Sequence, residues 1–469
     1  MYETPEGGES VATAEMNAGA PPVAKDRNKA WTPPLPQTVE DLGLSEETVA
    51  DLLLKVLYVQ GARSGDSLTK TVAMPFDIVD NVLLDLQQRR FIEVRKTEGH
   101  GRGGYTFDIT GAGRERAREA LEASQYVGPA PVPLAQYRVA TLSQSVGEVH
   151  ITRSRIREGF DDLVLDEQLF EALGPAVNSA KSLFLYGAPG NGKTHMAEII
   201  ARLMGSADIW IPYAIDVDGQ IVVLFDPVHH QRVKKDASDG DGGGADVLIR
   251  KEQPYDRRYV HIRRPIVMTG GELTMNQLDL EYDRHTKMYQ APFQVKANGG
   301  VLIIDDFGRQ RVPPHELLNR WIVPLEKRRD YLTLHTGVKF PVPFDTLIIF
   351  ATNLDPSDLV DEAFMRRIHY KIEVPSPDRE QYEIIFQRAC ESRDIPYDPR
   401  AVEYIYRKYY GSIGIAPRGC HPRDITDHVL DYARYVEAEP RLTPELIDSA
   451  CDSYFRVMAA DDMRGAGVR

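Results

Sequence analysis

The chain has 469 residues, more than one hydrophobic core can organise, so two or three domains are expected. Hydrophobic residues make up 42% of it, which excludes wholesale disorder, and a formal net charge of −14 argues against tight non-specific binding to nucleic acid or anionic membranes. The three cysteines, Cys390, Cys420 and Cys451, stand far apart without a C-x-x-C pair, so neither a zinc site nor a disulfide framework is expected and a reducing cytoplasm fits.

The chain opens Met1-Tyr2-Glu3 with no basic start and no apolar segment, which reads against a secretion signal, and no apolar run is long enough to span a bilayer. Residues 1–36 are rich in Ala, Gly, Pro, Glu and Thr and read as a flexible tail, with 31–36 as plain linker in preference to a docked extended strand. Residues 37–126 read as a small domain. Ser45 caps a helix whose apolar face is Val49, Leu52, Leu53, Val56 and Leu57. A short helix follows near 67–72, and a third after Pro75 carries Ile78, Val79, Val82, Leu83 and Leu86. Strands at 91–95 and 105–109 flank a glycine-rich turn, and a helix over 113–124 closes the unit. Three helices followed by a hairpin resemble a winged-helix domain. Its third helix carries Asp77, Asp80 and Asp85, which would repel phosphates, so the unit is expected to hold a protein; Arg95, Lys96 and Arg102 keep a nucleic-acid reading open. Prolines then alternate from Pro129 to Pro133, so residues 127–149 read as a stiff linker that holds the small domain away from the main body.

The main body, 150–375, contains the most informative stretch. Residues 182–186 are an apolar run bounded like a buried strand, and 195–204 repeat apolar positions at helical spacing. Between them Gly187, Ala188, Pro189, Gly190, Asn191, Gly192, Lys193 and Thr194 fit the phosphate-loop pattern G-x-x-x-x-G-K-[ST], followed by His195. Glycines let backbone N–H groups turn inward around phosphate oxygens, and the helix N-terminus adds its positive end. Lys193 would reach the β- and γ-phosphates of ATP, and the Thr194 hydroxyl would hold Mg²⁺.

Residues 208–217 and 220–225 read as strands around an Asp218-Gly219 turn, the first beginning inside the core sheet. Residues 236–246 read as a flexible loop and 270–280 as a short helix. Residues 301–304 are four apolar residues in a row, a strand buried on both faces, and Asp305 and Asp306 follow at its C-terminal end, where ligands collect in parallel sheets. Asp305 would orient a Mg²⁺-bound water and Asp306 the attacking water. Residues 330–342 read as a hairpin turning near Thr336 and Gly337. A further strand, 346–352, ends at Asn353, whose amide would hold the attacking water or touch the γ-phosphate.

This series resembles the AAA+ ATPases over roughly residues 150–455, which implies an α/β fold: a parallel phosphate-loop sheet with a helical C-terminal lid at 376–460 and a short tail at 461–469. Residues 187–194 look like Walker A, 301–306 like Walker B and 351–353 like sensor 1. The hairpin before 346 is similar to that of the branch containing MoxR-type chaperones, magnesium chelatase subunits, sigma-54-dependent activators and McrB-like motors. The resemblance implies that 363–368 form an arginine-finger helix, pointing to Arg367 with Arg366 as the alternative, and that Arg423 is the lid arginine of sensor 2. It further implies a homo-oligomer, a hexameric ring with ATP sites between subunits. Tyr282, Met288 and Tyr289 are candidates to line a channel or simply to pack on the body. Walker B here ends in Asp306 where Glu is usual, which implies slow or partner-dependent hydrolysis. The functional expectation is a Mg-dependent ATPase that remodels a protein client; a nucleic-acid factor such as a helicase loader or transcriptional motor, and a nucleotide-gated scaffold, are the alternatives.

Overall fold

The computed structural model describes residues 31–97, 101–233, 254–355, 365–413 and 416–465. The expected loop over 236–246 lies outside them, as do residues 363 and 364 of the expected arginine-finger helix.

The N-terminal unit comprises α1 (Val39–Leu42), α2 (Glu46–Gln60), β1 (Arg63–Ser64), α3 (Gly65–Val72), α4 (Phe76–Gln88), β2 (Ile92–Thr97), β3 (Tyr105–Ile109) and α5 (Gly111–Ala123). The Ser45 side chain accepts from Thr48 N at 3.1 Å and starts α2, which Gly61 ends at φ 77°. The three strands pair in the order β1-β3-β2. Leu53, Val56, Leu57, Val79 and Leu83 fill the core between the helices.

The next segment overturns the spacer reading. β4 (Val132–Pro133) and α6 (Leu134–Ser143) follow directly, and β4 pairs in parallel with β7 (Ala214–Val217, after β5 and β6 below). Ala130 N donates to Val72 O at 2.8 Å, and Tyr126 and Ala130 are buried in the same core as the N-terminal helices. Proline stiffness is used here to lay an edge strand rather than to hold two bodies apart. The linker reading of 31–36 is likewise corrected: Pro34 bridges Tyr255, Pro33 O accepts from Asp256 N, and Pro33 and Pro36 are buried.

The main body runs α7 (Arg153–Gly159), α8 (Glu167–Asn178), β5 (Ser182–Tyr186), α9 (Lys193–Met204), β6 (Asp208–Pro212), β7, β8 (Gln220–Val223), β9 (Tyr259–Arg263), β10 (Ile266–Thr269), β11 (Glu281–Asp283), β12 (Met288–Gln290), α10 (Phe293–Lys296), β13 (Val301–Ile304), α11 (Pro314–Lys327), β14 (Arg329–Thr333), β15 (Lys339–Pro343), β16 (Leu347–Ala351) and β17 (Tyr370–Glu373). The central sheet is parallel throughout, in the order β10-β13-β16-β5-β17. Side chains alternate between its faces: Leu183, Leu185, Val301, Ile303, Leu347 and Ile349 pack with α8 and α9. Phe184, Leu302, Ile304, Ile348 and Phe350 pack on the opposite face with Trp321 of α11. The fold is α/β, with both faces of a parallel sheet covered and the strand ends open for a ligand.

β6 does not enter this sheet. It pairs antiparallel with β9, while β7 and β8 join β4, β12 and β11 in a second sheet. The place expected for β6 is taken by β10, which aligns Ile266 to Val301 and reaches the sheet after Pro265. The β7–β8 turn has Asp218 at φ 51° and Gly219 at φ 79°, as a two-residue hairpin loop requires. Tyr289 is 1% exposed, Tyr282 stacks on His335 at 4.1 Å and Met288 packs on the N-terminal core, so these three are packing residues.

The C-terminal unit packs helices Arg379–Glu391, Pro399–Ile405, His421–Tyr435 and Pro444–Gly465 around Tyr382, Phe386, Val402, Ile405, Ile425 and Val429. No helix among the described residues is long and apolar enough to cross a membrane.

Candidate functional site

β5 runs at its C-terminal end into a loop whose glycines sit where other residues do not. Gly187 has φ 135°, and a Cβ there would lie 2.5 Å from Val374 O; Gly190 has φ 82°, and a Cβ there would lie 2.5 Å from Cys420 Sγ. Lys193 opens α9 and is 6% exposed. Its Nζ donates to Gly187 O at 2.9 Å and Ala188 O at 2.8 Å. Burial pushes this ammonium down to about 8, against the pull of Asp305 and Asp306, which favour its charge.

β13 carries the two carboxylates to the same place. The Thr194 hydroxyl lies 2.9 Å from both oxygens of Asp305. Asp306 takes a left-handed backbone, φ 48°. Asp tolerates this conformation far better than most side chains, because its short carboxylate can bond locally. This gives a physical reason for Asp rather than Glu at the end of the strand. Asn353, just past β16, donates from Nδ2 to Asp306 Oδ1 at 3.3 Å.

These groups line a cavity of about 580 Å³, a size ordinary for a small-molecule site. Residues 189–195, including His195, form one side, and 305–306 with Asn353 the floor. Leu163 and Leu165 supply an apolar wall, and Ile385 and Ala389 face in from the C-terminal helices. Arg423 sits at the rim with its side chain 65% exposed and paired to Asp424 at 3.0 Å. Arg367 does not line this cavity; its Nε donates to Glu326 Oε1 at 2.6 Å. Arg366 is exposed.

The donor set fits a magnesium–triphosphate group. Two close-packed positive-φ glycines leave the loop bare, an ammonium stands beside it, and one hydroxyl with one carboxylate offers hard oxygen ligands. Mg²⁺ is commonly held by so few protein oxygens, with phosphates and waters completing its shell.

Two parts of the site went unread in the sequence. Gln310 is 9% exposed and clamps the turn after β13: Nε2 donates to Asp305 O at 3.0 Å and Asp306 O at 3.2 Å, and Oε1 accepts from Gly308 N at 2.8 Å. Nothing in its sequence position announces this. The wall at 163–165 did carry a signal, an apolar triplet just before Asp166, which caps α8 by accepting from Leu169 N at 2.6 Å.

Among known families, the model of a domain of unknown function (DUF8689) matches residues 378–453, the C-terminal helices. No curated protein matches the chain. Among solved structures the chain is similar to RuvB of Thermotoga maritima, a Holliday junction branch migration motor, with 17% identity over 65% of this chain and 70% of that one and a TM-score of 0.33. It is also similar to NtrX of Brucella abortus, with 13% identity over 62% of this chain and 57% of that one and a TM-score of 0.36. Both likenesses are slight.

Proposed function

We propose that this protein is a magnesium-dependent ATPase of the AAA+ type that works as a ring-forming motor on a protein client. The observation that carries the reading is the meeting of Thr194 and Asp305 at 2.9 Å beside the glycine loop and Lys193. Two motifs 111 residues apart converge on one open cleft, in the arrangement that phosphoryl transfer needs. Magnesium, held by Thr194 and Asp305, would neutralise phosphate charge. Lys193 would leave the loop carbonyls to meet the β- and γ-phosphates. Asp306, with its carboxylate held by Asn353, would orient water in line with the terminal phosphorus. The bond between the γ-phosphorus and its bridging oxygen breaks, and ADP and phosphate leave. Arg423 would approach from the rim.

Arg367 lies outside its own chain's cavity, which suits a guanidinium donated to a neighbouring copy, with Arg366 as the alternative. The winged-helix-like N-terminal unit is proposed to bind protein rather than nucleic acid. Three of its arginines are engaged by acids: Arg95 with Asp108 at 2.6 Å, Arg102 with Asp80 at 2.7 Å and Arg89 with Asp85 at 2.9 Å. Cations neutralised in this way displace few counterions from a phosphate backbone. Cys390, Cys420 and Cys451 are free thiols, which suits the cytoplasm.

Lys193→Ala should abolish tight ATP binding measured by titration, and an unchanged affinity would refute the loop assignment. Arg367→Ala should bind ATP yet lose turnover, and mixing it with Asp305→Ala should restore part of the activity. No rescue counts against a ring with shared sites. ATP turnover should not respond to added duplex or single-stranded DNA at physiological salt; a strong stimulation would favour the nucleic-acid reading.

A further inference from the structure

The phosphate loop is joined to the C-terminal helices by contacts that phosphate binding does not require. Asn191 lies between Gly190 and Gly192 of the loop, and its side-chain amide bonds in two directions. Nδ2 donates to Ser376 Oγ at 3.3 Å, and Oδ1 accepts from Gly419 N at 3.2 Å. Because Gly419 N can only donate, the orientation of this amide is fixed by its partner. Alongside it, Cys420 N donates to Gly190 O at 2.8 Å. Gly190 has no Cβ, which is what allows this approach, since a Cβ would stand 2.5 Å from Cys420 Sγ.

The partners sit at the two places where the C-terminal unit meets the sheet. Ser376 follows β17 by three residues, two past Val374, whose N donates to Tyr186 O at 2.8 Å. It precedes Asp378, which caps helix Arg379–Glu391. Gly419 and Cys420 lead into helix His421–Tyr435. The approach of that helix is fixed from behind: His421 is fully buried, and its Nδ1 takes part in hydrogen bonds with Tyr410 OH at 2.8 Å and Arg418 N at 3.3 Å. One loop residue therefore holds both the connection and the far helix of the unit that covers the cleft.

We propose that Asn191, Ser376 and Gly419 form a clip by which the shape of the phosphate loop sets the position of the C-terminal helices. Asn191 and Ser376 act as positioning residues. The inference rests on the ATPase reading of the cavity for its ligand, but the clip itself is a property of the free protein. In this scheme phosphate entering the loop draws Lys193 from Gly187 O and Ala188 O and moves Gly190 and Asn191, and the clip passes that movement to residues 418–421.

The test uses the full chain with Ser376→Ala, Asn191→Asp and Asn191→Ala, read by amide hydrogen exchange at 416–425 with and without ATP, beside KM and kcat. Ser376→Ala should remove most of the ATP-dependent change in exchange at 418–421 and lower kcat about 5- to 10-fold, with KM nearly kept. Asn191→Asp keeps the acceptor for Gly419 and can accept from the Ser376 hydroxyl in place of donating to it, so its nucleotide-free exchange at Gly419 should stay near wild type; Asn191→Ala loses both bonds and should show the largest effect. Without nucleotide, Asn191→Ala should already speed exchange at Gly419. Wild-type exchange at Gly419 in Asn191→Ala, or an intact ATP response at 418–421 in both alanine variants, overturns the clip. If wild type binds no ATP, the ATPase reading falls, and the nucleotide-free exchange at Gly419 still decides the clip.

Discussion

At the open ends of the central strands, Lys193, Thr194, Asp305, Asp306 and Asn353 pair with loop carbonyls or with one another around a cleft of about 580 Å³. Just before β9, Arg258 and Asp256 pair at 2.8 Å with side chains 1% and 4% exposed. Arg258 also donates to Leu42 O at 3.0 Å, Pro131 O at 3.3 Å and Gln136 Oε1 at 3.2 Å, tying α1, the proline-rich segment and α6 to one guanidinium. The first network offers partners that an entering ligand can replace. The second has every donor committed and no path for exchange. One holds chemistry ready, and the other fixes the N-terminal unit to the body.

The sharpest way to break this contrast is to empty the sealed site. Arg258→Met leaves a buried carboxylate without its cation and should cost about 3–5 kcal/mol in denaturant unfolding, with ATP affinity unchanged. Adding Asp256→Leu should recover much of the loss, because two well-packed apolar groups replace a buried pair at little net cost. A single variant as stable as wild type, or one that loses ATP binding while folded, would show that the two networks are not separable.

A smaller effect should follow from loosening the open site without touching its charges. Gln310 holds both Asp305 and Asp306 through their main-chain carbonyls. Gln310→Ala frees the left-handed turn at Asp306 and should lower kcat by about 10- to 100-fold while ATP still binds, since a misplacement near 1 Å is enough for such a loss. Gln310→Glu should behave alike, because it cannot donate to either carbonyl. Unchanged kcat in both variants would make the clamp incidental.

The same contrast explains what was legible in the sequence. Lys193, Thr194, Asp305, Asp306 and Asn353 could be placed because each ends or begins an element with its own local period, and a parallel sheet gathers such ends on one edge. The alternation of Leu183, Phe184 and Leu185 between two cores follows from a strand's period of two. Arg258 could not be placed, since its partners at Leu42, Pro131 and Gln136 are brought to it from α1, the proline-rich segment and α6, more than 120 residues away, which no local pattern encodes. For the same reason β6 was assigned to the wrong sheet: apolar alternation fixes a strand but not its neighbour, and β10, with Ile266 and Met268 partly exposed, had the weaker pattern.

The mildest prediction concerns the proton on Lys193. Its ammonium is lowered to about 8 by burial, while in an unfolded chain it would titrate near 10.4. Between those values the unfolded chain holds the proton that the folded one has shed, so the free protein should gain stability as pH rises from 8 toward 10. ATP binding has the opposite slope, because only the charged amine meets phosphate. Affinity should be full below pH 8 and about tenfold weaker at pH 9 than at pH 7, and at pH 8.5 binding should draw protons from the buffer, visible as a calorimetric heat that changes with the buffer's ionisation enthalpy. Lys193→Arg keeps its charge throughout and should flatten the profile. A flat profile in wild type would mean that the amine never gives up its proton, and that the loop carbonyls of Gly187 and Ala188 hold it charged as firmly as phosphate would.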